Sequence, residues 1–342
     1  MSATDLAAAV GDRPDGEAAA VLARVTGPDG TTERGSGAAD PATGRPVGPD
    51  LVFRIGGVTK TFVAATVLGL AAEGLIDPDE PVAAHLPGVL RAPATVRQLL
   101  DHTAGLADES DVRYNDTGWF LRHRFDTFTP EQLVARAVRL PPAFEPGTAQ
   151  QITRAGYVLA GMLIEQVTGN PYAAEIRSRI LRPLGLRRTF LPGADPALPE
   201  PCLRGTDEGI DVTEHSPSIH GAAGEMLSTV DDLDRFLTAL LVGEVIPEKE
   251  LRQMFRVPRV PYLGGGEAFC GAGLDSVVVP GGDTVWGMAG IVHGHLGGIA
   301  ATVAPGTREP VRRLVYMVAP TVRGRLRVPP VAQRIILAAF GG

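Results

Sequence analysis

The sequence predicts an α/β protein whose sheet is assembled from both ends of the chain, with a helical lobe inserted between them. Three observations carry this expectation. Two β-prone runs flank a strong turn near the N-terminus, helical patterns separated by proline-rich loops fill residues 79–221, and short β-prone runs alternate with glycine-rich turns from Gly271 to Ala319. Strands at both ends with helices between them fit a fold in which the first and last segments share one lobe.

Taken in order, residues 2–11 read as a short amphipathic helix. The runs Ala18 to Thr26 and Thr31 to Ala38 flank Gly27-Pro28-Asp29-Gly30, whose glycines and proline suit a hairpin turn. A loop rich in Pro and Gly covers 40–50, and Leu51 to Ile55 reads as a short strand. From Val58 to Glu73 the apolar residues Val58, Phe62, Ala65, Leu68 and Ala72 recur at helical spacing, and Gly74 is placed to end the helix. This helix is apolar nearly all round, so it is expected to be central and buried. Thr95 to His102, Thr129 to Val138 and Tyr157 to Thr168 are further helical patterns, the last closed by Gly169. Residues 228–242 open with Thr229-x-x-Asp232, which resembles a capping box, and 327–340 return to helix.

Composition bounds the function. A hydrophobic fraction of 44% with 21% charged residues suits a soluble globular protein, and the net charge of −7 argues against a nucleic-acid or anionic-membrane footprint. The N-terminal stretch has an early acid, Asp5, and no basic leader, and no window reaches the length of a membrane span. Cys202 and Cys270 are far apart in the chain, so a reduced, cytoplasmic setting is expected rather than a disulfide framework. No cofactor and no metal is implied. The expected partner is a small-molecule substrate or ligand, and the oligomeric state is left open.

Of 32 basic residues, Lys60 and Lys249 are the lysines and the rest are arginines. A lysine at position 60, in a chain that uses arginine almost everywhere, can lose a proton when buried, which a guanidinium cannot. Chance and steric fit are the bland alternative.

Six blocks follow one another along residues 53–233. They are Phe53-Arg54-Ile55-Gly56 with Val58-Thr59-Lys60-Thr61-Phe62, Val96 to Leu106 (Val-Arg-Gln-Leu-Leu-Asp-His-Thr-Ala-Gly-Leu), Phe144-Glu145-Pro146-Gly147-Thr148, Gly156 to Gly161, Pro183 to Leu186, and Met226 to Leu233. In this order they resemble the class C β-lactamase, D,D-carboxypeptidase and esterase branch of the serine β-lactamase and penicillin-binding-protein superfamily. The resemblance implies a β-lactamase/transpeptidase-like fold with an antiparallel sheet flanked by helices. Residues 1–78 and 222–342 would form the α/β lobe, 79–221 the helical lobe, and the pocket would lie between them.

In that superfamily a serine at the start of the central helix attacks a carbonyl and a lysine one turn on faces the same side. A Tyr-x-Asn loop adds a second proton-transfer group, and a His/Lys-x-Gly strand lines the opposite wall. Here the serine position is Gly57, the Tyr-x-Asn positions fall at Ile152 and Arg154, and the third motif falls at Met288-Ala289-Gly290, next to Trp286-Gly287. All three motifs are altered together, so the resemblance implies neither serine β-lactamase nor D,D-peptidase activity through position 57.

Lys60 is then the candidate acid/base, its alternative being an inert relic. Gly57 offers a backbone N–H at a helix start, its alternative being a plain cap glycine. Arg154 would make the pocket cationic and select a carboxylate or phosphate, or else sit on an exposed turn. Ile152, Trp286 and Met288 are expected to line the same pocket. Tyr114, with Trp119 and His123, would form a lid or simply pack. His102 reads as a fold residue. His293 and His295 would share one strand face, where a third ligand could complete a metal site, although the sequence offers no obvious third. No serine or cysteine is expected near the motif positions. The expected function is a non-hydrolytic cyclisation, isomerisation or elimination on a small, anionic metabolite of secondary metabolism. The alternatives are a ligand- or partner-binding pseudoenzyme and a hydrolase or transesterase using another nucleophile.

Overall fold

Residues 3–11, 18–107, 116–303, 310–321 and 329–341 are described by a computed structural model. The strands are β1 (Ala18–Gly27), β2 (Gly30–Asp40), β3 (Arg45–Pro46), β4 (Phe53–Arg54), β5 (Thr206–Asp207), β6 (Ile210–Asp211), β7 (Leu227–Ser228), β8 (Asp275–Val278), β9 (Thr284–Val292), β10 (His295–Val303) and β11 (Pro310–Pro320). Seven of them form one antiparallel sheet in the order β3-β2-β1-β11-β10-β9-β8. The first and last thirds of the chain therefore meet at the β1/β11 ladder, where Val21 pairs with Val318 and Ala23 with Tyr316. The N-terminal hairpin closes as its sequence dictates: Gly27 pairs with Gly30, leaving Pro28 and Asp29 as the turn, and Gly30 takes a φ of 102° that an L side chain rarely adopts.

The helices are α1 (Ala3–Val10), α2 (Thr59–Ala72), α3 (Val96–Leu100), α4 (Thr117–His123), α5 (Pro130–Arg139), α6 (Ala155–Thr168), α7 (Tyr172–Ile176), α8 (Val230–Leu241), α9 (Glu248–Met254) and α10 (Pro330–Phe340). Strand alternation sends the two faces of the sheet into different cores. Val21, Ala23 and Val25 of β1, with Leu314, Tyr316 and Val318 of β11, pack under α1 and α10. Ala20 and Leu22, with Val315, Met317 and Ala319, face the larger core that holds α2. The expected central helix is central: from Thr59 to Leu68 every residue of α2 is buried, and Phe62 stacks on Phe236 of α8 with ring centroids 3.7 Å apart. Gly74, with φ 74°, ends it.

Two local readings are revised. The short strand at 51–55 is only Phe53–Arg54, and it pairs with β7, outside the main sheet. The capping box at α8 is half formed: the Thr229 hydroxyl accepts from Asp232 N at 3.2 Å, but the Asp232 carboxylate turns to Arg188 N and Thr189 Oγ1 instead. Partners 43 and 44 residues upstream thus outcompete the local return bond. Among the described residues no helix is long and apolar enough to cross a membrane.

Candidate functional site

The entry to α2 is stitched to the segment before α8. Ile55 N donates to Met226 O at 3.0 Å, and Met226 N donates to Thr59 Oγ1 at 3.2 Å. Arg54, 2% exposed, anchors this junction from below through Nη2, which donates to Pro196 O at 2.9 Å, Thr213 O at 3.1 Å and His215 O at 2.9 Å. Burial pulls its guanidinium down to about 9. The cation is held by carbonyl dipoles, so its role is to fix three loops around the start of α2.

Gly57 lies inside a 3₁₀ turn, Gly56–Val58, and the N-cap of α2 is Val58, so the cap-glycine alternative does not describe it. Its reason is proximity to β9. A Cβ at Gly57 would lie 2.6 Å from the Ala289 carbonyl oxygen. On the other side, a Cβ at Gly290 would lie 1.9 Å from Ile55 O and 2.3 Å from Gly57 N. Backbone packs directly on backbone here, and the space that a nucleophile's side chain would need is taken by the third-motif strand.

Lys60, one turn on, is 8% exposed, with Nζ 5.7 Å from the centroid of the Tyr157 ring. Three other groups feel its charge. Burial first, then Lys60, holds the His102 imidazole well below its ordinary value. Burial raises Asp275, offset in part by the Cys270 thiol and by Lys60. Burial and Asp275 push the Cys270 thiol far up, so it is a neutral donor and not a thiolate nucleophile. Folding therefore corrects the expectation that no cysteine lies near the motif positions, while burial denies that cysteine a nucleophilic role.

Gln150 assembles the cluster. Its Nε2 donates to Asp101 O and Cys270 O, each at 2.8 Å, while its Oε1 accepts from Phe269 N at 2.9 Å and Cys270 N at 3.1 Å. One buried amide thereby ties the turn carrying His102 to the segment carrying Cys270. Asp101 accepts from Thr103 N and Oγ1, and burial lifts it to about 6. The Tyr157 hydroxyl donates to Leu100 O at 2.7 Å, and burial raises it well above a free phenol. His102, at φ 62°, accepts from Gln151 N through its carbonyl at 3.0 Å, so it props the loop that carries Ile152 and Arg154. It is a fold residue, as its block suggested.

Of the remaining candidates, Ile152 and Arg154 are half-buried, with Arg154 at the N-cap of α6, where its charge helps hold down His220. Met288 is 6% exposed and packs in the main core; Trp286 lies against Phe255, ring centroids 5.0 Å apart. Tyr114 lies outside the described residues. Trp119 stacks on His123 at 4.3 Å, a packing contact within α4. His293 and His295 do not share a strand face: they flank Gly294 at the β9/β10 turn. His293 Nδ1 pairs with Asp207 Oδ2 at 2.9 Å, and His295 Nε2 donates to Leu203 O at 2.8 Å. Among the described residues no group of three or more His, Cys, Asp or Glu could hold a metal ion. Cys270, Asp275 and Gln150 were missed because nothing in their local sequence marks them; only the fold brings Cys270 and Asp275 within reach of the Lys60 charge and Gln150 onto Cys270.

With this geometry in hand, a family model described as "Beta-lactamase" matches residues 6–332. The chain belongs to the beta-lactamase family. This family member is 34% identical over 210 residues to esterase EstB of Burkholderia gladioli, covering 56% of this chain and 52% of the esterase. It is 31% identical over 234 residues to penicillin-binding protein 4 of Amycolatopsis lactamdurans, covering 63% of this chain and 58% of that protein. The chain thus spans little more than half the length of these two relatives. Among solved structures, a D-stereospecific amidohydrolase from a Streptomyces species superimposes with a TM-score of 0.82 at 35% identity, covering 99% of this chain and 97% of that one. The D-amino acid amidase of Ochrobactrum anthropi SV3 complexed with D-phenylalanine gives a TM-score of 0.82 at 26% identity, with 98% of each chain covered. The fold expected from the six blocks is the fold observed.

Proposed function

We propose that this beta-lactamase-family protein no longer forms an acyl-enzyme and carries out non-hydrolytic chemistry, a cyclisation, isomerisation or elimination, on a small anionic metabolite. Lys60 moves the proton and Arg154 receives the negative charge of the substrate. The pocket lies between a lobe formed by 1–78 and 222–342 and a helical lobe at 79–221. The observation that carries this reading is at position 57, where a side chain's first atom would meet the Ala289 carbonyl at 2.6 Å while the lysine one turn on stays in place. Relatives named as esterase, amidohydrolase and amidase support carbonyl compounds as the substrate class. In such a compound the proton next to the carbonyl is the one an amine base removes.

Mass balance tests the proposal. Incubation of the protein with a bacterial metabolite extract, followed by mass spectrometry, should reveal a product of unchanged mass, or one that has lost a small neutral fragment. Lys60→Met should abolish it. A product that has gained water, or labelling of the wild type by a fluorophosphonate or a β-lactam, would sink the reading. The near-complete burial of Lys60 favours a second reading, a pseudoenzyme that binds a ligand without turnover. A retained, unconverted ligand whose affinity is indifferent to Lys60→Met would favour that one.

A further inference from the structure

A separate cavity of about 230 Å³ lies in the helical part of the protein, between α5, α6, α7 and the loops at 193–194 and 218–225. Apolar side chains make most of its wall, among them Phe128, Leu133, Val158 and Met162. Val158, Met162 and Glu165 follow one another at helical spacing on one face of α6. Tyr157, which faces Lys60, is not among the lining residues, and the cavity shares no residue with the Lys60 cluster.

Two carboxyls reach this cavity. Glu225 is 4% exposed, and its Oε1 accepts from the Tyr172 hydroxyl at 2.6 Å. Glu165 accepts from Tyr172 N at 3.1 Å through Oε1. Glu225 Oε2 has no hydrogen-bond partner among the described residues, and Lys, Arg and His are absent from the lining. Burial lifts Glu225 to about 7, the Tyr172 bond opposing the rise and Glu165 adding to it. A carboxyl buried among apolar walls, with an unused oxygen and no counter-charge, is costly when ionised, and a cation supplied from outside removes that cost.

We propose that this cavity is a second ligand site, taking a small organic cation whose apolar body is about the size of a phenyl ring and whose single primary ammonium sits on Glu225. Apolar walls gain from excluding water only if the occupant is itself apolar, which disfavours a hydrated metal ion or a water cluster. Size agrees: an apolar void of about 150 Å³ holds benzene, and the extra volume here leaves room for a two-carbon amine arm. The site is independent of the chemistry proposed at Lys60.

Calorimetry with phenethylammonium at pH 8 tests the site on the full chain. The amine is expected to bind, 3-phenylpropionate, which carries a carboxylate on the same phenethyl body, is not, and Glu225→Gln should weaken the amine at least about tenfold. Because binding favours the ionised carboxyl, affinity should be about tenfold lower at pH 6 than at pH 8. Met162→Trp, which fills the cavity and keeps the Glu225 carboxyl, should abolish binding and serves as the second variant if Glu225→Gln does not fold. Lys60→Met should retain the amine. No binding to the wild type, equal binding of the carboxylate, or unchanged affinity in both cavity variants would overturn the proposal. Loss of binding in Lys60→Met with retention in Met162→Trp would overturn it too, placing the amine in the Lys60 pocket.

Discussion

Gly57→Ser places a serine where the superfamily resemblance puts the nucleophile, and the structure says it will not fit. The new Cβ would stand 2.6 Å from the Ala289 carbonyl oxygen, where ordinary contact begins at 3.4 Å, with Gly290 Cα at 3.5 Å behind it. Either β9 or the 3₁₀ turn must retreat by several tenths of an ångström. Neither is loose: β9 is laddered to β8 and β10 on its two sides, and the turn is tied to Met226. Overpacking of this kind costs about 1–3 kcal/mol. At roughly 2–4 °C per kcal/mol, Tm should fall by about 2–12 °C, read by scanning calorimetry. Gly57→Ala carries the same Cβ and should lose a similar amount, which assigns the loss to the clash and not to the hydroxyl. Intact-mass measurement after incubation with benzylpenicillin should show no adduct on the serine variant, because Ile152, Arg154 and Met288 supply none of the proton transfers that acylation requires. A Gly57→Ser protein as stable as the wild type would refute the closure by β9. One that acylates would refute the placement of the second and third motifs.

Gly290→Ala probes the same contact from the strand, and its Cβ would meet the backbone of Ile55, Gly57 and Gly56 at 1.9, 2.3 and 2.7 Å; it should destabilise more than Gly57→Ala in urea titrations. Arg54→Met leaves the carbonyls of Pro196, Thr213 and His215 without their donor, so a loss of at least about 3 kcal/mol is expected from the same titrations. Gln150→Leu removes both arms of the amide that joins the Asp101 turn to the Cys270 segment; it should cost about 2–4 kcal/mol, and conversion should fall if Lys60 acts with this cluster. Glu225 changes the pH dependence of stability. Its folded value of about 7 exceeds the ordinary glutamate value of 4.5, so the folded state holds the extra proton and this group's contribution is lost as pH rises from about 4.5 to about 7. Glu225→Gln should therefore gain stability relative to the wild type across that window, by up to about 3 kcal/mol; a constant difference from pH 4.5 to 7.5 would contradict it.

Several features were legible in the chain because they are local. The turn Gly27-Pro28-Asp29-Gly30 folds where its glycines allow, Gly74 ends α2, and the apolar surface around Val58 to Glu73 requires burial on every side. The six blocks resembling the superfamily led to the fold, and the resemblance placed Gly57 at the serine position. The His293/His295 reading failed because strand alternation was assumed across a turn centred on Gly294, which no periodicity argument resolves in so short a stretch.

By itself, then, the sequence determined the architecture and the absence of a nucleophile at position 57. It did so because helix periodicity, turn chemistry and motif order are properties of neighbouring residues. The tertiary structure alone decided what replaced the nucleophile. Ala289 and Gly290, more than 230 positions downstream, press on Gly57, Gln150 clasps Cys270 across 120 residues of chain, and Cys270 and Asp275 come within reach of the Lys60 charge. Such contacts are set by how separate elements pack, and packing depends on distances that no local pattern encodes.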